Sequence, residues 1–66
     1  MRIQLNGEPF DLADGQTVAD LIGRLDLTGR RVAVELNQDI VPRSQHAATA
    51  LREGDRVEVV HAIGGG

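Results

Sequence analysis

A chain of 66 residues with a net charge of −3 can hold one small core, because a domain of this size hides only about 60% of the surface its unfolded form exposes. It has no cysteine, which removes disulfides and thiolate metal sites as supports for that core, and all 7 of its positive residues are arginine, so it offers no side-chain amine to modification. The acidic balance and a lone aromatic residue, Phe10, argue against a nucleic-acid partner.

The opening MRIQLNGEPF lacks an apolar h-region, and no apolar run approaches the ~20 residues of a membrane helix. With the missing cysteines, these features lead to the expectation of a cytoplasmic protein without a membrane partner. In MRIQLN, Met1, Ile3 and Leu5 alternate with Arg2, Gln4 and Asn6, which predicts a half-buried strand. Asn6-Gly7 suits the left-handed turn of a tight hairpin, and the alternation resumes at Phe10 and Leu12. Asp14-Gly15 ends the second strand. Thr17 reads as a helix N-cap, with Asp20 closing a shortened capping box. Val18, Leu21, Ile22 and Leu25 then form one apolar helical face, with the exit at Thr28-Gly29. Gly23 inside that helix costs up to ~1 kcal/mol against alanine, which suggests a close neighbour.

RRVAVELN alternates again, with Val32, Val34 and Leu36 on one side and Ala33 and Glu35 on the other. After a turn at Asn37-Gln38-Asp39, Ile40 and Val41 form a short strand that Pro42 either ends or confines to a sheet edge. Ser44 to Thr49 reads as a loop with one helical turn, Leu51 as a core anchor, and Glu53-Gly54-Asp55 as the turn into RVEVVH. There Val57 and Val59 face inward, Glu58 and Val60 outward. The order β-β-α-β-β-β in so short a chain requires one sheet covered on its apolar face by one helix. The fold class is therefore α+β: a β-grasp, or ubiquitin-like, domain with a mixed sheet of four to five strands and a parallel pairing of the first and last. Residues 1–61 form that domain, and 62–66 a flexible C-terminal glycine tail.

Side chains that could do chemistry are few. Ser44, His46 and Asp39 are close in sequence, yet nothing predicts the cleft or oxyanion hole that a triad needs. Two histidines, His46 and His61, cannot make a zinc site without carboxylate help, so no metal is expected. The glycines form no phosphate-binding pattern after a strand, which leaves the chain without a nucleotide of its own. Arg30-Arg31 reads as a solvated strand start. Val60 and Ile63 are either a docking patch beside the terminus or two incidental exposed residues.

That leaves HAIGGG, residues 61 to 66. Glycine lacks a Cβ, so an extended Gly64-Gly65-Gly66 can thread a narrow channel in a partner and carry a carboxylate to chemistry there. A carboxylate is a poor electrophile until it is activated. ATP can do so by forming an acyl-adenylate, from which a sulfur nucleophile displaces AMP to leave a nucleophilic thiocarboxylate.

IQLNGE, GQTVADLI, VAVELNQDIVPR and EGDRVEVVHAIGGG, in that order over essentially the whole chain, resemble the sulfur-carrier proteins of thiamine biosynthesis, the ThiS family. The resemblance implies a protein co-substrate and not an enzyme, with sulfur carried as a thiocarboxylate on Gly66 and with Gly64 and Gly65 threading. It implies as partners an E1-like adenylating enzyme that uses ATP, a thiazole synthase that receives the sulfur, and a sulfur-donor system. No cofactor would be bound by the chain itself. Partner-binding roles fall to Val60, His61, Ala62 and Ile63 at the exit, and to Pro42 and Arg43 in the VPR segment. Family tails end in Gly-Gly, so Gly64 takes the variable position before the pair. A carrier for molybdopterin or another sulfur-containing metabolite, and a non-covalent ubiquitin-like binding module, are the alternatives.

Overall fold

The computed structural model describes residues 1–61, in the order β1 (Arg2–Leu5), β2 (Glu8–Asp11), α1 (Val18–Arg24), β3 (Val32–Leu36), β4 (Asp39–Val41), a 3-10 helix (Arg43–Ala48) and β5 (Arg56–His61). The strands form one sheet in the order β2-β1-β5-β3-β4. β5 lies in the middle, parallel to β1 and antiparallel to β3, and both outer pairs are antiparallel hairpins. The helix covers one face. This is the expected β-grasp, with five strands.

Both hairpins close through two-residue loops, since Leu5 faces Glu8 and Leu36 faces Asp39. In each loop both central residues have positive φ, Asn6 and Gly7 at 51° and 85°, Asn37 and Gln38 at 51° and 74°. That backbone matches the right-handed twist of the strands it joins. Asparagine tolerates it better than most residues because its short polar side chain can bond locally.

Alternation places Ile3, Val34, Val57 and Val59 on the inner face, where they meet Val18, Leu21 and Ile22 of α1 and the anchors Leu12 and Leu51. Thr17 caps the helix as expected: its Oγ1 accepts from Asp20 N–H at 3.2 Å, while its own N–H donates to the Asp20 carboxylate at 2.9 Å. Main-chain bonds from Val18 N to Thr49 O and from Leu51 N to Gln16 O, each 2.9 Å, tie the helix start to the segment before β5.

Several local expectations are corrected. The helix stops at Arg24, with Leu25 as its C-cap, before Thr28-Gly29. Asp26 turns left-handed at φ 59°, Asp26 N–H donates to Gly23 O, and Leu27 N–H donates to Ile22 O, a Schellman closure with aspartate where glycine is usual. Gly23 has no tight neighbour: a Cβ there would meet only the Thr28 hydroxyl at 3.8 Å. β1 ends at Leu5, because Asn6 is already in the turn, and β2 at Asp11, beyond which Leu12 still bonds to Met1 (Leu12 N–H to Met1 O, 2.8 Å) while its side chain enters the core. The single helical turn expected within 44–49 is a six-residue 3-10 helix that begins at Arg43. Pro42 ends β4 and β4 is an edge strand, so both of its alternatives hold.

Asp26→Gly is expected to stabilise the domain by about 0.5–1 kcal/mol, because glycine loses nothing to the left-handed conformation. Thermal unfolding should show the midpoint rising by about 2–8 °C; an unchanged midpoint would mean that the left-handed aspartate is not strained.

Candidate functional site

β5 delivers the chain to the region the sequence singles out. Its last two residues, Val60 and His61, have partners on one side only, Ala33 and Val32 of β3. β1 has already turned away at Leu5. Ala62, Ile63, Gly64, Gly65 and Gly66 lie outside the described residues, as does the Val60–Ile63 patch as a unit.

Val60 is on the outer face and 57% exposed. Register places it directly opposite Ala33, and Ile40 of β4, 63% exposed, sits opposite Glu35 and diagonal to Ala33. An apolar strip of Val60, Ala33 and Ile40 therefore runs across three strands of the open face. Ile40 is the member that sequence reasoning missed as a surface residue. Its signal was phase: Val41 beside it is core, so Ile40 must point the other way.

Glu35 and Glu58 are also opposite one another on this face. Like charges in that position repel, and among the described residues no ion pair neutralises either glutamate. They share a hollow of about 230 Å³ with Gln4, Gln38 and Arg56. The contrast is at the β1–β2 end, where Arg2 Nε donates to Asp11 Oδ1 at 2.9 Å. That hydrogen bond, and then the arginine charge, hold the Asp11 carboxyl below its ordinary value. Both groups are solvent-exposed, so the pair contributes little, and what it contributes fades as pH falls through the lowered value.

Pro42 and Arg43 follow β4 toward the end of the sheet where β5 finishes. Arg43 joins Arg30 and His46 around a pocket of about 240 Å³ with an apolar floor of Ile22, Leu27 and Val32. Val32 is the cross-strand partner of His61, so the pocket and the tail exit share one end of the molecule. No carboxylate lines it, and neither arginine forms an ion pair among the described residues. His61 itself is exposed, and Arg30 and Arg31 are solvated residues ahead of β3, as expected.

Ser44, His46 and Asp39 do not form a catalytic unit. His46 donates from Nε2 to the Val41 carbonyl oxygen at 3.0 Å, which ties the 3-10 helix back to β4. Among the described residues no group of three His, Asp or Glu is placed to hold a metal, and no helix is long and apolar enough to cross a membrane.

A central strand that leads straight into a glycine terminus, on a scaffold without a catalytic cluster among its described residues, defines a small ubiquitin-like protein of the β-grasp class. The ThiS family model matches residues 3–66. The chain belongs to the ThiS family. It is 38% identical over 66 residues to the sulfur carrier protein ThiS of Escherichia coli K12, covering all of both chains. The crystal structure of the thiamine biosynthesis protein ThiS from Geobacter metallireducens superposes with a TM-score of 0.86 at 33% identity, again over the whole of both. The chain is also 44% identical over 66 residues to a thiazole synthase of Paramagnetospirillum magneticum, of whose length it spans 20%.

Glu58→Gln is expected to stabilise the domain by about 0.2–0.5 kcal/mol, since it removes the cross-strand repulsion. Denaturant titration of the two proteins would check it, and a loss of stability would show that Glu58 has an attractive partner.

Proposed function

We propose that this chain carries sulfur for thiazole formation on the main-chain carboxylate of Gly66. The observation that carries this reading is continuity: the family match runs through residue 66, and β5, the central strand, paired with β3 from Val57 to His61 and with β1 at its start, precedes that terminus in the chain. An E1-like enzyme with ATP would convert the carboxylate to an acyl-adenylate and release pyrophosphate. Hydrosulfide from a donor system would attack the acyl carbon, the acyl–phosphate C–O bond would break as AMP leaves, and loss of the S–H proton would give the thiocarboxylate for delivery. The chain supplies no catalytic side chain and binds no cofactor. It acts as co-substrate.

Gly64 and Gly65 would thread the partner channel, and Ala62 and Ile63 would fill its mouth, because side chains beyond that point would obstruct an extended backbone. Val60 and Ile40 suit the hydrophobic part of a partner surface, and Arg43, with Pro42 fixing the start of its helix, suits an acidic part. That a thiazole synthase contains a stretch resembling this chain over a fifth of its length supports a thiazole synthase as the recipient.

Intact-mass measurement after incubation with the activating enzyme, ATP and a sulfur source should show replacement of one oxygen by sulfur. Deleting Gly66 should abolish that shift and leave the thermal midpoint within about 2 °C, because a chain terminus contributes little burial. An unshifted mass with a demonstrably active enzyme would exclude the carrier chemistry.

A further inference from the structure

The two hairpins flank β5 unequally: β3 pairs with it from Val57 to His61, with Asn37 N–H donating to Arg56 O at 2.7 Å, whereas β1 pairs only with Arg56 and Val57 and leaves the rest of that side without a main-chain partner. In a continuing parallel ladder, Val59 N–H would donate to the main-chain carbonyl of residue 6, and Val59 C=O would accept from the N–H two residues further on. The β1 ladder stops before that: Asn6 N–H donates to Val57 O at 2.9 Å, and the chain then turns through Asn6 and Gly7. The side-chain amide of Asn6 takes the place of the lost peptide. Its Oδ1 accepts from Val59 N–H at 2.9 Å and its Nδ2 donates to Val59 O at 3.2 Å.

Asn37 does the same at the opposite end and on the opposite side. Its Oδ1 accepts from Arg56 N–H at 3.0 Å, and its Nδ2 donates to the Asp55 carboxylate at 3.1 Å. Each asparagine has φ of 51° and makes two side-chain hydrogen bonds to residues at one end of β5. One grips the start of the strand. The other grips it two residues before His61.

We infer that Asn6 is a positioning residue for sulfur transfer: its side chain fixes the point at which β5 stops being held from both sides, three residues before the described chain passes beyond His61. This rests on the carrier function proposed above. Without the Asn6 amide, two-sided pairing ends at Val57, and the strand held by β3 alone lengthens by two residues, about 7 Å. A longer stretch paired on one side only opens more readily and holds a partner-bound geometry less often, which weakens productive binding more than it slows chemistry.

Glycine is the informative replacement, since it keeps the left-handed turn and removes only the side-chain bonds. Asn6→Gly and Asn37→Gly are thus matched variants with the same substitution, the same φ and the same number of lost bonds. Hydrogen exchange should show the Val59 amide exchanging about tenfold faster in Asn6→Gly and unchanged in Asn37→Gly. In thiocarboxylate formation with the activating enzyme, well below either midpoint, Asn6→Gly should raise the KM for the carrier about three- to tenfold with kcat within about twofold. Asn37→Gly should match the wild type, and Asn6→Asp, which keeps the acceptor for Val59 N–H, should fall between. Equal KM values for the two glycine variants, or a fast-exchanging Val59 with unchanged KM, would overturn the assignment. Failure of the wild-type chain to accept sulfur would instead remove the carrier function on which it rests.

Discussion

Strand β5 lies between β1, which pairs with its first residues, and β3, which pairs with it from Val57 to His61, and the rest of the molecule is arranged around that fact. It is the last element in the sequence and the middle one in the sheet, so it joins the N-terminal hairpin to the β3–β4 hairpin. Val57 and Val59 also supply the inner face on which α1 rests. In a domain with so little buried surface, a strand that serves both the ladder and the core cannot shift register without exposing half its apolar residues. The consequence for function is geometric. A terminus that follows the most constrained strand starts from a fixed point.

The ion pair of the N-terminal hairpin and the contact at the start of β5 lie away from that end. The Arg2–Asp11 pair lies across the β1–β2 hairpin, and the Asn37–Asp55 contact at the start of β5. Near the exit stand Val60, Ile40 and Ala33 on the open face, with Arg30, Arg43 and His46 around the pocket beside Val32. The unneutralised Glu35–Glu58 pair carries a small cost in the isolated domain. The apolar and cationic surfaces thus lie beside the end of β5, and the acidic pair opens toward its start.

Alternating and helical periods were legible in the residues because each element has one buried face. Met1–Leu5, Val18–Ile22 and Arg56–Val60 read correctly for that reason, as did the Thr17–Asp20 cap. What escaped were features set by partners distant in sequence. Asn6 looked like a turn residue and is one, but its bonds to Val59 span 53 positions, and no local pattern announces them. The helical face was read as far as Leu25, with the exit at Thr28-Gly29; the Schellman closure itself falls on Asp26, where Leu27 N–H bonds back to Ile22 O. Arg43 was legible only through resemblance, since its neighbours Arg30 and His46 come together by folding alone.

Carrier chemistry requires the carboxylate of Gly66 itself, whereas a module that docks by its open face does not. ATP–pyrophosphate exchange by the activating enzyme, measured with the chain ending at Gly66 and with the same chain extended by two residues, separates the two most directly. Exchange is expected with the first and background with the second, while both keep the same thermal midpoint. Equal exchange with both would contradict it.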